Sequence, residues 1–166
     1  MRRAGAKDYA KYSKEIIKIT RKPVSCEVFA DDIKNMILQG KKISKWGKNV
    51  YVKVPVINSK GKFMGKVIKS LNNRKIKLNI TAVYTAKQTK QILKAINRKT
   101  KVIISIFAGR AGDVGKDPIP IIKNGIPKDM SWAEPYDGLF KRVKVLPFDK
   151  HLAMPESFVY KEPLIL

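Results

Sequence analysis

The stretch Val50-Tyr-Val-Lys-Val-Pro55 combines a valine-rich run with a single lysine. Apolar, β-branched runs of this length are typical of strands buried in a parallel sheet. An ammonium group is costly in such a strand unless it is paired, because burial removes its water. The run therefore predicts a strand of a parallel α/β fold, and it marks Lys53 as a candidate functional residue.

Runs of the same kind recur along the chain, and segments with apolar residues at helical spacing separate them. The predicted strands are 24–30, 50–56, 76–83 and 102–107. The predicted helices are 9–19, 33–43, 63–71 and 86–96. Neighbouring parallel strands need a long, right-handed crossover, usually a helix. The alternation therefore predicts about four βα units of an α/β barrel, with the active site at the carboxyl ends of the strands.

Two parts of this pattern carry more detailed expectations. Asp8 is suited to cap the first helix. The apolar positions of that helix, at helical spacing, are Tyr9, Tyr12, Ile16 and Ile19. Near the end of the pattern, residues 107–118 are glycine-rich and predict a loop, and a short helix is expected over 119–123.

The character of the sequence changes after Asn124. Prolines punctuate the remainder, and its pattern indicates only short strands at 143–146 and 157–160. No further strand–helix unit is indicated there. The sequence therefore divides into a barrel-like domain, 1–124, and an irregular tail, 125–166.

The chain is strongly basic, with 36 Lys+Arg against 13 Asp+Glu and a formal net charge of +23. Such a balance attracts polyanions. The lysines, however, recur in almost every segment, and no zinc-finger, homeodomain or RNA-recognition motif is present. This spread favours solvated lysine-rich faces over a nucleic-acid partner. A basic polyanion-binding module is kept as the alternative function.

The cysteine content and the apolar runs of the sequence indicate where in the cell the protein is expected. One cysteine, Cys26, excludes an intrachain disulfide. The N-terminus lacks the apolar core of a signal peptide, and no apolar run approaches the roughly 20 residues of a membrane span. We therefore expect a cytoplasmic protein that has no membrane partner.

Each predicted strand carries a polar residue, at equal intervals of 26 residues. These residues are Glu27, Lys53, Asn79 and Ser105. Equal intervals place them at equivalent positions in successive units. Since residues two apart on a strand share a face, Thr81 lies with Asn79, and Phe107 lies with Ser105. The pattern therefore predicts a cluster of polar groups at one end of a barrel.

Lysine is the informative member of this cluster. A buried lysine with a lowered pKa supplies a free amine that attacks a ketone to form a Schiff base. Alternatively, Lys53 extends its ammonium from the strand end to solvent. Glu27 is suited to relay protons through water or to form a simple salt bridge with Lys53. The in-phase polar residues favour the catalytic interpretation of Lys53.

The other members have similar pairs of interpretations. Thr81 is suited to hold a catalytic water, although threonine is also an ordinary strand former. Asn79 and Ser105 are suited to bind sugar hydroxyls, or they form a satisfied buried polar pair.

At these residues the sequence resembles the transaldolases. The resemblance lies in four motifs, in order: Pro23-Val-Ser-Cys-Glu-Val28, Val50-Tyr-Val-Lys-Val-Pro55, Leu78-Asn-Ile-Thr-Ala-Val-Tyr84 and Ile104-Ser-Ile-Phe-Ala-Gly-Arg110, followed by Asp113. It covers roughly residues 1–123. The resemblance implies part of a (β/α)8 TIM barrel, corresponding to strands three to six of eight.

The resemblance also implies a function and a role for each residue. Transaldolases move a dihydroxyacetone unit between sugar phosphates in the pentose phosphate pathway, by a lysine Schiff base that needs no metal or other cofactor. By resemblance Lys53 is the nucleophile, and Glu27 and Thr81 serve the catalytic water. The substrate-binding residues implied are Asn79, Ser105, Phe107 and Arg110, the last of which binds phosphate through its forked donors.

Some family features favour one branch, and others fall outside the chain. Related fructose-6-phosphate aldolases carry Tyr at the position of Phe107 and typically lack Asn79, so both residues favour a transaldolase. In the family pattern, a strand with an acid/base aspartate precedes Met1, and two further strands follow Lys123. Residues 125–166 do not resemble those strands. We therefore expect a truncated barrel that pairs with a copy of itself or with a complementary half-barrel, or an inactive fragment.

Overall fold

The alternation of strands and helices produces a four-stranded parallel sheet in the computed structural model, which describes residues 8–97 and 99–125. The strands pair in chain order, as β1 Val24–Glu27, β2 Val50–Pro55, β3 Leu78–Val83 and β4 Val102–Ile106. The helices are α1 Tyr9–Ile19, α2 Ile33–Ile43, α3 Gly65–Asn72, α4 Ala86–Ala95, α5 Ala108–Asp113 and α6 Ile119–Gly125. The predicted α/β architecture of a partial βα barrel is confirmed.

Local signals fix where several helices begin. Asp8 and Asp32 cap α1 and α2 by accepting backbone N–H groups of the first turn, and these bonds lower the pKa of both carboxyl groups. Thr85 and Gln88 form a reciprocal capping box at the start of α4. Each cap satisfies N–H groups that have no partner within the helix.

The two faces of the sheet differ in polarity. Right-handed crossovers between strands in sequential order place α2, α3 and α4 on one side. Residues of β2 that point to this side, such as Val52 and Val54, are fully buried with Met36, Ile68 and Ile92 of the helices. The opposite face is called the inner face below. It carries the odd-numbered strand residues except Val83, which follows an irregularity in β3 and lies in the core. The apolar core therefore lies between the sheet and its helices, and the polar strand residues lie on the inner face.

The helix predicted over 9–19 is confirmed as α1, but only part of its apolar stripe faces the core, where Tyr9 packs. Ile19 is 81% exposed and Ile16 is also exposed, whereas Ser13 and Ile17 are buried. Residues 9, 13 and 17 are four apart and share one face of the helix. Ser13 forms a hydrogen bond with the thiol of Cys26 on β1, so a polar residue lies on the buried face of this helix.

The glycine-rich segment after β4 also differs from expectation. Residues 108–113 form α5 instead of a loop, and an ion pair one turn apart joins Arg110 to Asp113 at 3.6 Å. The helix expected over 119–123 is confirmed as α6. The short strands expected at 143–146 and 157–160 lie outside the described residues, so the division of the chain at residue 124 stays a prediction.

The helices in the part of the chain that the structure describes are short. None of them is long and apolar enough to cross a membrane.

The packing of α2 on α3 depends on a glycine. A Cβ at Gly40 would lie 2.6 Å from Leu71 Cδ1, and Leu71 is fully buried. We expect Gly40→Val to lower the free energy of unfolding by about 1–3 kcal/mol, because the added groups overpack this contact. Lys42→Val, at an exposed position of the same helix, is the matched control. Urea denaturation that finds the two variants equally stable would contradict this packing argument.

Candidate functional site

Three of the predicted residues form one row across the inner face. In the parallel register, Glu27 of β1 is the partner of Lys53 of β2, and Lys53 is the partner of Asn79 of β3. Adjacent strands are about 4.8 Å apart, so these three side chains start as immediate neighbours. Glu27, Lys53 and Asn79 are called the polar row below. The expectation that they occupy equivalent positions is confirmed.

Ser105 does not continue the polar row. The partner of Asn79 on β4 is Ile103, and Ser105 lies two residues farther along the same face. Register partners are 26 residues apart between the first three strands but 24 apart from β3 to β4. Equal spacing in the sequence therefore does not give equal register, because the last crossover is two residues shorter. The prediction of an equivalent position is wrong for Ser105.

Hydrogen bonds nevertheless bring Ser105 to the polar row. Its Oγ donates to Asn79 Oδ1 at 2.7 Å, and Asn79 Nδ2 donates to Ser25 Oγ at 3.0 Å. Asn79 is 1% exposed, so both polar ends of this buried amide are satisfied. Ser25 was not among the predicted site residues. Its position two residues before Glu27, on the same face of the strand, was the signal that could have identified it.

The bond between Asn79 and Ser25 also reveals the shape of the inner face. Ser25 lies on β1 and Asn79 on β3, with all of β2 between them. Two strand spacings amount to roughly 9–10 Å, and side chains on a flat sheet stand perpendicular to it. These two short side chains can meet only if the sheet curves towards them. The inner face is therefore concave, as in a barrel wall.

Lys53 lies in the middle of this concave face. It is the fourth residue of β2 and is half-buried. One pleat nearer the amino end is Tyr51, whose pKa is raised by burial. The Lys77 ammonium lies 5.3 Å from the centroid of the Tyr51 ring, where the π electrons attract a cation.

Thr81 lies one pleat above Asn79, on the same face. It is the register partner of Pro55 and is 3% exposed. Its Oγ1 is buried and has no hydrogen-bond partner among the described residues. A buried hydroxyl without a partner costs about 1–3 kcal/mol. Thr81 therefore presents unused hydrogen-bonding capacity beside the polar row.

The backbone next to Thr81 is strained. Ala82 has φ +58°, a left-handed conformation that is unfavourable for a residue with a Cβ. The register of β3 with β4 shifts at this point, between Ile80 and Val83. Backbone strain of this kind persists where surrounding contacts enforce it, and it clusters at functional sites.

Phe107 and Arg110 follow the carboxyl end of β4. The Phe107 ring packs edge-to-face on Tyr84, with ring centroids 5.5 Å apart. Arg110 lies on α5, its side chain is 60% exposed, and its described ion pair is with Asp113. Among the described residues, neither a hydrogen bond nor an ion pair joins Arg110 to the polar row. The structure therefore places Arg110 at the expected end of the sheet but does not bring it to Lys53.

The free edge of β1 is closed by an aromatic side chain. The Tyr9 hydroxyl accepts a hydrogen bond from the Glu27 backbone N–H at 2.7 Å. The Tyr9 ring packs on Phe29 and Trp46, with centroids 4.9 and 5.5 Å away. Burial, with a smaller effect of Cys26, raises the pKa of Tyr9 to about 12. No local sequence pattern indicates this contact, because 18 residues separate its partners.

The inner face thus combines an amine, a carboxylate, a buried amide and hydroxyl groups. This set is suited to covalent attack on a carbonyl with proton transfer by the carboxylate. Within residues 8–97 and 99–125, no three His, Cys, Asp or Glu side chains cluster closely enough to hold a metal ion.

Comparison with known proteins identifies relatives of this arrangement. The family model described as transaldolase/fructose-6-phosphate aldolase matches residues 8–129. A probable transaldolase of Brevibacillus brevis is 35% identical over 118 residues, which cover 71% of this chain and 51% of the relative. A probable transaldolase of Leptospira biflexa is 39% identical over 109 residues, which cover 66% of this chain and 47% of the relative. A probable transaldolase of Methanococcus vannielii is 34% identical over 116 residues, which cover 70% of this chain and 50% of the relative.

The chain spans about half the length of the curated relatives it matches. Glu27, Lys53, Asn79, Thr81 and Ser105 all lie within the residues that the family model matches.

The Tyr9 contact gives a test of how the site is supported. We expect Tyr9→Phe to destabilise the protein by about 1 kcal/mol, because the partly buried Glu27 N–H loses its acceptor. Tyr12→Phe, on the same helix, is the control, since Tyr12 makes no hydrogen bond to the sheet among the described residues. Chemical denaturation at pH 8 compares the two.

The pH dependence of the same pair follows from linkage. The folded-state pKa of Tyr9, about 12, exceeds the ordinary value of 10.0. A raised pKa stabilises the fold fully below pH 10, and that stabilisation is lost as the pH rises towards 12. The stability difference between the unchanged chain and Tyr9→Phe should therefore shrink over this range. A difference that stays constant would contradict the role of the buried hydroxyl.

Proposed function

The chain belongs to the transaldolase/fructose-6-phosphate aldolase family, and we propose that Lys53 acts in it as a Schiff-base nucleophile towards the ketone of a sugar phosphate. The observation that carries this proposal is the register of the polar row, which sets Lys53 between Glu27 and Asn79 on the concave face. A lysine in such a setting has both a carboxylate for proton transfer and a hydrogen-bonding amide for the substrate.

The proposed chemistry begins with addition. The unprotonated nitrogen of Lys53 forms a bond to the ketone carbon, and a proton passes from that nitrogen to the carbonyl oxygen to give a neutral carbinolamine. Glu27 then delivers a proton through a water molecule to the departing hydroxyl, which leaves as water and produces the iminium. Hydrolysis reverses these steps, with Glu27 taking the proton back. The buried hydroxyl of Thr81, which has no partner in residues 8–97 and 99–125, is suited to hold that water.

The neighbouring groups would hold the substrate. Ser105 and Asn79, bonded to each other, present hydrogen-bonding atoms to the hydroxyl groups of the sugar. Phe107 would form part of the wall at the carboxyl end of β4. Arg110, which is exposed there, would bind the phosphate by exchanging Asp113 for the ligand.

We further propose transaldolase activity over simple aldol cleavage, on the presence of Asn79 and Phe107. Breaking the bond between the third and fourth carbons releases an aldehyde and leaves a three-carbon enamine on Lys53. The enamine then adds to an acceptor aldehyde. The proton of the fourth-carbon hydroxyl must be accepted in cleavage, a role that the family pattern gives to an aspartate of a strand preceding the glutamate strand.

The setting proposed for this activity is cytoplasmic carbohydrate metabolism, in the pentose phosphate pathway. A partner that completes the barrel, either a complementary half or a second copy of the chain, stays a prediction.

The covalent step provides the direct test. We expect borohydride reduction in the presence of fructose 6-phosphate to trap a mass adduct on Lys53, located by peptide mass spectrometry. Lys53→Arg should abolish the adduct, because guanidinium does not lose its proton near neutral pH. Lys77→Arg is the matched control, since Lys77 also lies beside the inner face, next to Tyr51. Absence of an adduct in a chain shown to be folded would refute the proposal.

A second candidate function rests on the charge distribution. Residues 33–112 contain neither Asp nor Glu. The helices α2, α3 and α4 lie within this stretch and pack side by side over the convex side of the sheet. Their exposed lysines are Lys34, Lys42, Lys66, Lys69, Lys87, Lys90 and Lys94. This surface is called the lysine face below, and we propose non-specific binding of a nucleic-acid backbone as its function.

Phosphate binding fits the lysine face better than base recognition does. The lysines project from adjacent helices without carboxylates between them, so their charges add instead of cancelling. Lysine acts on phosphate as a mobile point charge and carries no sequence information. The partner expected is therefore duplex nucleic acid of any sequence, bound by release of counterions.

Salt dependence tests this candidate. We expect affinity for a short mixed-sequence DNA duplex to fall steeply with salt, and Lys87→Gln/Lys90→Gln/Lys94→Gln to reduce the slope of log K against log salt by about 2–3. The control is Lys11→Gln/Lys14→Gln/Lys18→Gln on α1, which removes the same charge beside Glu15. Equal effects of the two triple variants, or no binding at low salt, would exclude the lysine face.

A further inference from the structure

A hydrogen-bonded chain crosses the concave face and includes one residue that the proposed chemistry does not use. Ser105 Oγ donates to Asn79 Oδ1, and Asn79 Nδ2 donates to Ser25 Oγ. The chain links β4, β3 and β1, and passes over β2. Ser25 pairs in register with Tyr51, while Asn79 pairs with Lys53. The line from Asn79 to Ser25 therefore crosses β2 between Tyr51 and Lys53.

We propose that Ser25 is a positioning residue, which fixes the side-chain amide of Asn79 next to the side chain of Lys53. An asparagine side chain rotates about two bonds, and a buried amide held at one end alone keeps much of that freedom. With Ser105 at its oxygen and Ser25 at its nitrogen, the amide is held at both ends. Where it concerns Lys53, this inference rests on the proposed function.

The direction of the bonds also assigns the chemistry of each serine. The Ser105 hydroxyl donates its hydrogen bond to Asn79, so its oxygen can only accept a hydrogen bond from a ligand. Ser25 accepts from Asn79 and keeps its own proton for donation. A ligand group that bonds to Ser105 must therefore be a donor, such as a sugar hydroxyl, and a carbonyl or phosphate oxygen in that place would be rejected.

An alternative explanation is that the hydrogen bonds linking Ser105, Asn79 and Ser25 serve only the stability of the fold. Asn79 is 1% exposed, and leaving its Nδ2 without an acceptor would be unfavourable wherever it lay. The two roles differ in what they predict. A purely structural bond affects unfolding alone, whereas a positioning bond also affects the rate of chemistry on Lys53 in a chain that remains folded.

The first arm of the test needs no activity. Hydrogen exchange of the Asn79 side-chain amide is followed by ¹⁵N NMR, with the resonance assigned by its loss in Asn79→Ser. We expect Ser25→Ala to speed this exchange about tenfold, equivalent to about 1.4 kcal/mol. Ser25→Thr, which keeps the hydroxyl, should restore slow exchange. Ser70→Ala on α3 is the control for a serine outside the site. Unchanged exchange in Ser25→Ala would overturn the proposal.

The second arm addresses Lys53. Borohydride trapping with fructose 6-phosphate is measured against substrate concentration. We expect Ser25→Ala to lower the maximal trapping rate about tenfold with little change in the half-saturating concentration, and Ser25→Thr to restore it. Faster amide exchange with an unchanged trapping rate would overturn the positioning role.

The two arms separate this inference from the proposed function. If the unchanged chain is folded and traps no adduct, the proposed function fails, and amide exchange alone decides whether Ser25 positions Asn79. Should Ser25→Ala not fold, Ser25→Cys takes its place, because a thiol is similar in size to a hydroxyl but accepts hydrogen bonds only weakly. Ser25→Cys should then give the faster amide exchange and the slower trapping expected for Ser25→Ala.

Discussion

The parallel register between β1, β2 and β3 is the constraint on which the rest of the structure depends. Partners 26 residues apart place Glu27, Lys53 and Asn79 side by side. A shift of one residue in any of these strands would turn its polar side chain towards the helices, because side chains alternate between faces. In β2 the fully buried valines oppose such a shift, since they would then leave the core for the concave face.

The division of polarity between the two faces explains how the fold accommodates the polar row. The convex side of the sheet is covered by helices and holds the apolar core. The concave side carries an amide and two serines that satisfy one another, and a half-buried lysine and glutamate. It also carries a threonine hydroxyl that has no hydrogen-bond partner within the described part of the chain. Buried polar groups are costly unless they are hydrogen-bonded, so the linked Ser105, Asn79 and Ser25 stabilise this face. Thr81 Oγ1, which has no partner among the described residues, keeps its capacity for a further hydrogen bond.

The relation to the transaldolase/fructose-6-phosphate aldolase family and the arrangement of the site support each other. The matching residues, 8–129, include the whole described sheet and the polar row. The relatives are about twice as long as the matched region. The concave face would be closed by further strands in a full barrel. Tyr9 instead closes part of the exposed edge of β1 by accepting the Glu27 N–H.

The sequence by itself determined the order of elements, the parallel sheet and the membership of the polar row, because these follow from local patterns: valine-rich runs, helical spacing, and polar strand residues 26 positions apart. It could not determine the offset of Ser105, since register depends on how a whole crossover packs. It also missed Ser25 and Tyr9, whose partners are 54 and 18 residues away. Only the tertiary structure decided these contacts, because the curvature of the sheet and the docking of α1 bring together side chains that no local pattern relates.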